Sequence, residues 1–279
     1  MAEFPFGQDV VNVGRSVGTG MSNIYRGYKG VHRADSNWPT QGQLKGSISI
    51  HGSKNAALPI LVASLLSNQN LTLENIPNVA DINNMLKLLK GYSVKIIKNK
   101  NSLIINSKNL KNISADYDIV RKMRASVLIL GPLLSRFGYC KISLPGGCAI
   151  GTRPIDIHLK ALSKLGVIYK ILDGYVYAKA PKGLKGNKIR FSKISVGATE
   201  NLIIAASLAK GTTILNNCAI EPEIKDLINF LNKMGCKIKW ISKRKIKIIG
   251  VSNLKQISYS VMFDRIEAGT YLIAAAVNE

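Results

Sequence analysis

Residues 144 to 154 read Leu-Pro-Gly-Gly-Cys-Ala-Ile-Gly-Thr-Arg-Pro, and at their centre stands the side chain best placed for chemistry, Cys148. Glycines on both sides define a loop from which a thiol can project into a cleft. Arg153 nearby would lower the thiol pKa and favour the reactive thiolate. Pro154 suits the first position of a following helix and Asp156 its first turn, which puts Arg153 at a helix N-terminus, where anions bind. A structural cysteine in a tight turn fits the same residues. Cys140, Cys218 and Cys236 lie on a strand or beside apolar runs and read as small core hydrophobes. With no CxxC pair among the four, neither a zinc site nor a disulfide framework is expected.

A second constellation is basic. Lys54 and Asn55 follow a strand at Ser47 to Ile50 and a Gly-Ser turn, ahead of a helix expected to begin at Pro59. Loop N–H groups, a helix dipole and the Lys54 charge would converge there on one phosphate; a solvated turn lysine is the alternative. Arg124 opens a helix at the place Ala56 holds near Lys54. Together with the turn Ser195-Val196-Gly197, these helix starts could surround one site. His51 and His158 show no partner in the sequence, so both are expected to pack or to face solvent.

The elements that must carry these groups repeat. From Gly42 a unit of about 70 residues runs helix, strand, helix, strand and recurs twice. Leu58, Leu61, Val62 and Leu65 line the first helix of the first unit, and Ile82, Met85, Leu86 and Leu89 the second. Val127, Leu130, Gly131 and Leu134, then Ile155, Leu159 and Leu162, repeat the pattern. Leu202, Ala205, Ala206 and Ala209, then Ile224, Leu227, Ile228 and Leu231, complete it. Gly91, Gly166 and Gly235 fall where helix ends favour a left-handed residue. Three units enclose one core in this reading, and Leu272 to Ala276 echoes the first helix of the third unit. The chain therefore reads as stopping inside a fourth unit. Residues 1–42, rich in Gly, Ser, Asn and Arg, read as a disordered leader.

The composition narrows the function. Basic residues exceed acidic ones by 39 to 16, a net charge of +23, but only ten are Arg and the lysines are scattered among Ile and Asn. No recognition-helix, zinc-finger or RNP pattern accompanies the charge, so small anionic substrates are expected rather than nucleic acid. The longest apolar stretch, Val127 to Leu134, is far below the roughly 20 residues of a bilayer helix. The first 20 residues lack a secretory pattern, and an intracellular, reducing setting is expected.

Taken together, Lys54-Asn55-Ala56-Ala57-Leu58-Pro59, Met123-Arg124-Ala125-Ser126, the Cys148 loop through Pro154, and Ser195-Val196-Gly197-Ala198-Thr199 closely resemble the UDP-N-acetylglucosamine 1-carboxyvinyltransferases, as do Glu221-Pro222-Glu223 and Asp264 to Thr270. These are bacterial enolpyruvyl transferases of peptidoglycan precursor synthesis, and the likeness runs from Gly42 to the end. The resemblance implies an inside-out α/β barrel: two similar domains, each of three βαβαββ-like units around buried helices, with a substrate cleft between them. Residues 43–262 would form one domain and 263–279 open the second. It implies transfer of the enolpyruvyl group of phosphoenolpyruvate to the 3-hydroxyl of UDP-N-acetylglucosamine, in the cytoplasm and without metal or organic cofactor. Carried over by position, Cys148 is the proton donor and the target of fosfomycin. Lys54, Asn55 and Arg153 would hold phosphoenolpyruvate. Arg124, Arg153, Pro154, Ile155, Asp156, Ile157, Lys193, Ser195 and Val196 would hold the nucleotide sugar.

Members of this family continue for well over a hundred residues past Glu279, into an Asp base and several Arg of the opposite wall. The resemblance thus implies impaired or absent turnover by this chain alone. Two further readings stay open: a catalytically dead remnant that binds nucleotide sugar, and the related 3-phosphoshikimate 1-carboxyvinyltransferase.

Overall fold

The computed structural model describes residues 10–14, 45–100, 102–111, 123–144 and 155–277. They fall into two compact units, one from Gly52 to Met262, the other made of described residues up to His51 with those from Phe263 onward.

In the larger unit the repeat is visible as two kinds of helix. α1 (Lys54–Ala63) and α5 (Val196–Ala206) are covered on every side: from Ala56 and Ala198 to their ends every residue is buried, Thr199, Glu200 and Asn201 of α5 included. Helices covered all round lie inside the core. α2 (Ala80–Gly91), α4 (Asp156–Lys164) and α6 (Pro222–Lys233) bury one stripe each. In α2 that stripe is Ile82, Met85, Leu88 and Leu89, with Leu86 only half-buried. The first helix of the second unit is divided: a 3-10 turn, Arg124–Ile129, runs into α3 (Leu130–Phe137).

The strands wrap outside these helices. In the first unit β3 (Asn70–Glu74), β4 (Lys95–Lys98) and β5 (Ser102–Asn106) are ordered β3-β5-β4. In the second, β6 (Tyr139–Ser143), β7 (Ile168–Leu172) and β8 (Tyr175–Lys179) are ordered β6-β8-β7. β9 (Lys188–Arg190) precedes the third unit, where β10 (Thr212–Asn216), β11 (Lys237–Ser242) and β12 (Lys245–Ile249) follow the same order, β11-β12-β10, with β9 added parallel to β10. The last strand, β13 (Ile257–Ser260), joins the first unit, parallel to β3 with Ile257 opposite Leu71. The third unit thus closes onto the first around the central helices, which is the expected inside-out arrangement.

Local chemistry repeats as closely as topology. Asn75 and Asn217 follow the strands β3 and β10, adopt φ of 56° and 61°, and donate side-chain N–H to the carbonyls of Val261 and Phe191 at 2.9 and 3.1 Å. Asn tolerates left-handed backbone better than most residues. All three second helices end alike. Val94, Val167 and Cys236 donate backbone N–H to Leu89, Leu162 and Leu231, five residues earlier, the signature of a Schellman end. The left-handed residue there is Gly166 in one and Gly235 in another, as expected, but Ser93 in the first, at φ 64°; Gly91 belongs to α2 itself. Ser93 stands one residue before the buried Val94, as the two glycines do before Val167 and Cys236, so chain register and not glycine fixes the position.

Two further expectations change. α1 begins at Lys54, five residues before Pro59, because Ser53 Oγ accepts the Ala56 N–H at 3.3 Å and caps it there. Pro59 removes only the donor that would meet the Asn55 carbonyl, near the helix start. The leader read as disordered contains β1 (Val10–Gly14), paired antiparallel with β2 (Lys45–Ser49) in the smaller unit. That unit also holds α7 (Arg265–Val277), whose Asp264 Oδ1 accepts the Ile266 N–H at 2.8 Å. His51 is bonded there, its ring Nδ1 and backbone N–H to the two Glu267 oxygens at 3.0 and 2.9 Å.

Candidate functional site

The groups picked out by sequence gather at helix starts of the larger unit. Lys54 is the first residue of α1 and Asn55 the second, half-buried and exposed respectively. Lys54 Nζ lies 2.9 Å from Asp81 Oδ2, in the first turn of α2. No local pattern links residues 27 apart on different helices, so this partner was invisible in the sequence. Ser195 caps α5, its Oγ accepting the Ala198 N–H at 3.2 Å, with Val196 exposed as the first helical residue and Lys193 exposed in the preceding turn. Ile155 and Ile157 pack against the core edge at the start of α4, while Asp156 forms an i,i+4 pair with Lys160 at 3.3 Å. Arg124 opens the 3-10 turn. Cys148, Arg153 and Pro154 lie outside the described residues.

These starts belong to packed helices. The Arg124–Ile129 turn lies against both α1 and α5, and α4 lies against α5. The bonds that join them are polar and buried. Asn201, wholly buried on α5, donates to the Val127 carbonyl at 3.0 Å and meets His158 Nδ1 of α4 at 3.1 Å. His158 is therefore a bonded core residue.

Burial decides the remaining titratable groups. Cys140 and Cys218 are pushed up to about 12 and Cys236 to about 11 by loss of solvent, so all three stay protonated and unreactive. That is the small-hydrophobe role expected of them. Glu200, buried on α5, is pushed up to about 8 by burial first and by the Glu223 and Glu221 carboxylates second. It carries its proton at neutral pH. Nothing in the sequence marked it, since a glutamate in a helix normally faces water. Among the described residues, no group of three or more His, Cys, Asp or Glu could hold a metal ion. No described helix is long and apolar enough to cross a membrane.

The model of the EPSP synthase (3-phosphoshikimate 1-carboxyvinyltransferase) family matches residues 39–279. The chain belongs to the EPSP synthase family. Within that family it is similar to a protein of Pelagibacter ubique (strain HTCC1062) named UDP-N-acetylglucosamine 1-carboxyvinyltransferase, 66% identical over 238 residues that cover 85% of this chain and 57% of the relative. A protein of the same name from Rickettsia bellii (strain OSU 85-389) is 52% identical over 240 residues, again 85% and 57% of the two chains. The chain thus spans little more than half the length of the curated relatives it matches. Among solved structures, the enolpyruvyl transferase NikO from Streptomyces tendae superposes with a TM-score of 0.70 at 18% identity, covering 81% of this chain and 53% of that one. An EPSP synthase from Acinetobacter baumannii gives 0.68 at 17%, covering 83% and 53%. At such identities these two establish the fold alone, the enolpyruvyl transferase fold.

Proposed function

We propose that this chain forms one wall of an enzyme that transfers the enolpyruvyl group from phosphoenolpyruvate to the 3-hydroxyl of UDP-N-acetylglucosamine, in the cytoplasm. The observation that carries the reading is the 66% identity, over 238 residues, to a relative named for that reaction. On this reading residues 43–262 form that domain and 263–279 begin a second one.

The residues fit the chemistry. Lys54 and Asn55 on the first turn of a capped helix offer a cation and free backbone N–H groups to the phosphate of phosphoenolpyruvate. Arg153 adds a second cation. Ser195 and Val196, Lys193, Arg124 and the stretch Pro154 to Ile157 hold the nucleotide sugar. Cys148 delivers a proton to the enolpyruvyl methylene carbon as the sugar hydroxyl oxygen bonds to the neighbouring carbon and the hydroxyl proton passes to a base on the opposite wall; a proton of the new methyl group then returns to the Cys148 thiolate as phosphate leaves with its bonding pair, which restores the double bond. Cationic groups suit a cleft shared by two multiply charged substrates.

A 3-phosphoshikimate substrate is the other reading, after the name of the family model. The relatives at 50–66% identity carry the nucleotide-sugar name, and the Cys148 loop favours it. A remnant that only binds nucleotide sugar is the reading for the chain in isolation. Phosphate release with both substrates tests all three, measured on this chain and on a version extended by the C-terminal part of the Pelagibacter relative. The extended form should turn over, Cys148→Ala should abolish it, and 3-phosphoshikimate should not replace the nucleotide sugar. Turnover that survives Cys148→Ala overturns the site.

A further inference from the structure

Three segments carry the groups assigned to the nucleotide sugar: the turn opening at Arg124, the start of α4 and the start of α5. One buried amide reaches all three. Asn201 Nδ2 lies 3.0 Å from the Val127 carbonyl in the first segment and 3.1 Å from His158 Nδ1 in the second, and Asn201 itself belongs to the third. A carbonyl only accepts, so nitrogen and not oxygen must face Val127. The second amide hydrogen is then left for His158 Nδ1, which accepts only when the ring is neutral and protonated on Nε2. The imidazole in turn closes on the start of α5: a Cβ on Gly197 would stand 3.2 Å from His158 Cε1 and 3.4 Å from Nε2. Gly197 directly follows Val196, so the ring occupies the space beside the sugar-binding turn that a side chain at Gly197 would need.

This arrangement is poor as a stability device. Asn201 Oδ1 is buried without a hydrogen-bond partner, 2.8 Å from where a Gly131 Cβ would stand. A buried amide left half-satisfied costs stability that an apolar side chain of the same volume would not.

We propose that Asn201 and His158 are a positioning pair for the nucleotide-sugar site. Together they hold the Arg124 turn, the start of α4 and the start of α5 in one register before the ligand arrives. Neither residue touches substrate. The assignment rests on the functional reading above for its ligand, but the pinning of the three segments can be measured without any ligand.

Two readouts test it on the chain as it stands: amide hydrogen exchange without ligand, and UDP-N-acetylglucosamine binding by calorimetry. The double variant Asn201→Leu with His158→Leu removes both polar partners, and its thermal midpoint should not fall. Its amides at residues 155–159 and 196–199 should exchange about fivefold to tenfold faster, the change that losing one ordinary hydrogen bond brings. Nucleotide-sugar binding should weaken by a similar factor. His158→Asn, whose Oδ1 stands near the place of Nδ1 and can accept, should restore both readouts relative to His158→Leu. If the double variant does not fold, that single-site comparison supplies the same answer. Unchanged exchange at the two helix starts overturns the proposal, and so does faster exchange spread evenly over the chain with a lower midpoint. If the unaltered chain fails to bind the nucleotide sugar, the ligand assignment falls, while the exchange comparison still decides the pair.

Discussion

The Lys54 ammonium and the Asp81 carboxylate stand 2.9 Å apart on adjacent helices, 40% and 39% exposed. Ion pairs this wet contribute little, so Asp81→Asn should change stability by less than about 1 kcal/mol, and the change should shrink as salt is raised. The effect on anions should be larger. Lys54→Ala should remove phosphoenolpyruvate binding, whereas Asp81→Asn should leave it intact or tighter because the cation is no longer neutralised. Denaturant melts and phosphoenolpyruvate titrations of the two variants check this pair of outcomes.

Glu200 makes the fold sensitive to pH. Its folded pKa of about 8 lies above the ordinary carboxylate value, so between the two the folded chain binds more protons than the unfolded one. Stability from this group therefore falls as pH rises through that window and levels off above about 8. Glu200→Gln removes the titration at nearly constant shape. Its advantage over the unaltered chain should grow from pH 5 to pH 8, by roughly 3–4 kcal/mol. Melting both proteins across that range checks it; an advantage independent of pH would contradict the burial of a protonated Glu200.

The first repeat should improve when its left-handed position is given the residue the others use. Ser93 holds φ 64° where Gly166 holds 97° and Gly235 106°. Relief of Cβ strain, less the added freedom of the unfolded glycine, makes Ser93→Gly stabilising by about 0.5–1 kcal/mol. Gly235→Ala should cost about 1–2 kcal/mol for the converse reason. Urea midpoints at constant slope would settle both.

Beside the pairing of β13 with β3, closure of the ring includes a side-chain bond across 186 residues, from Asn75 Nδ2 to the Val261 carbonyl. Asn75→Gly keeps the left-handed backbone but deletes the amide and should cost about 1 kcal/mol. Asn75→Ala adds strain at φ 56° and should cost about 1–2 kcal/mol more. Amide exchange should accelerate first in β13 and β3, the strands this bond joins.

The sequence by itself determined the repeat, the elements and the family. Apolar residues spaced three and four apart exist because a helix must bury a stripe, and that pattern survives in the chain whatever it packs against. Helix ends were legible where glycine marks them, at Gly166 and Gly235, and not where Ser93 takes a left-handed turn imposed by its neighbours. The start of α1 was misplaced because Pro59 is a louder signal than the serine cap that sets it. Only the tertiary structure decided the partners. Asp81 for Lys54, Asn201 for His158, Glu223 and Glu221 beside Glu200, and β13 beside β3 all join residues far apart in the chain. Such pairs leave no periodic trace, since their energy comes from distance and burial in the folded core, and those exist only once the three repeats have closed.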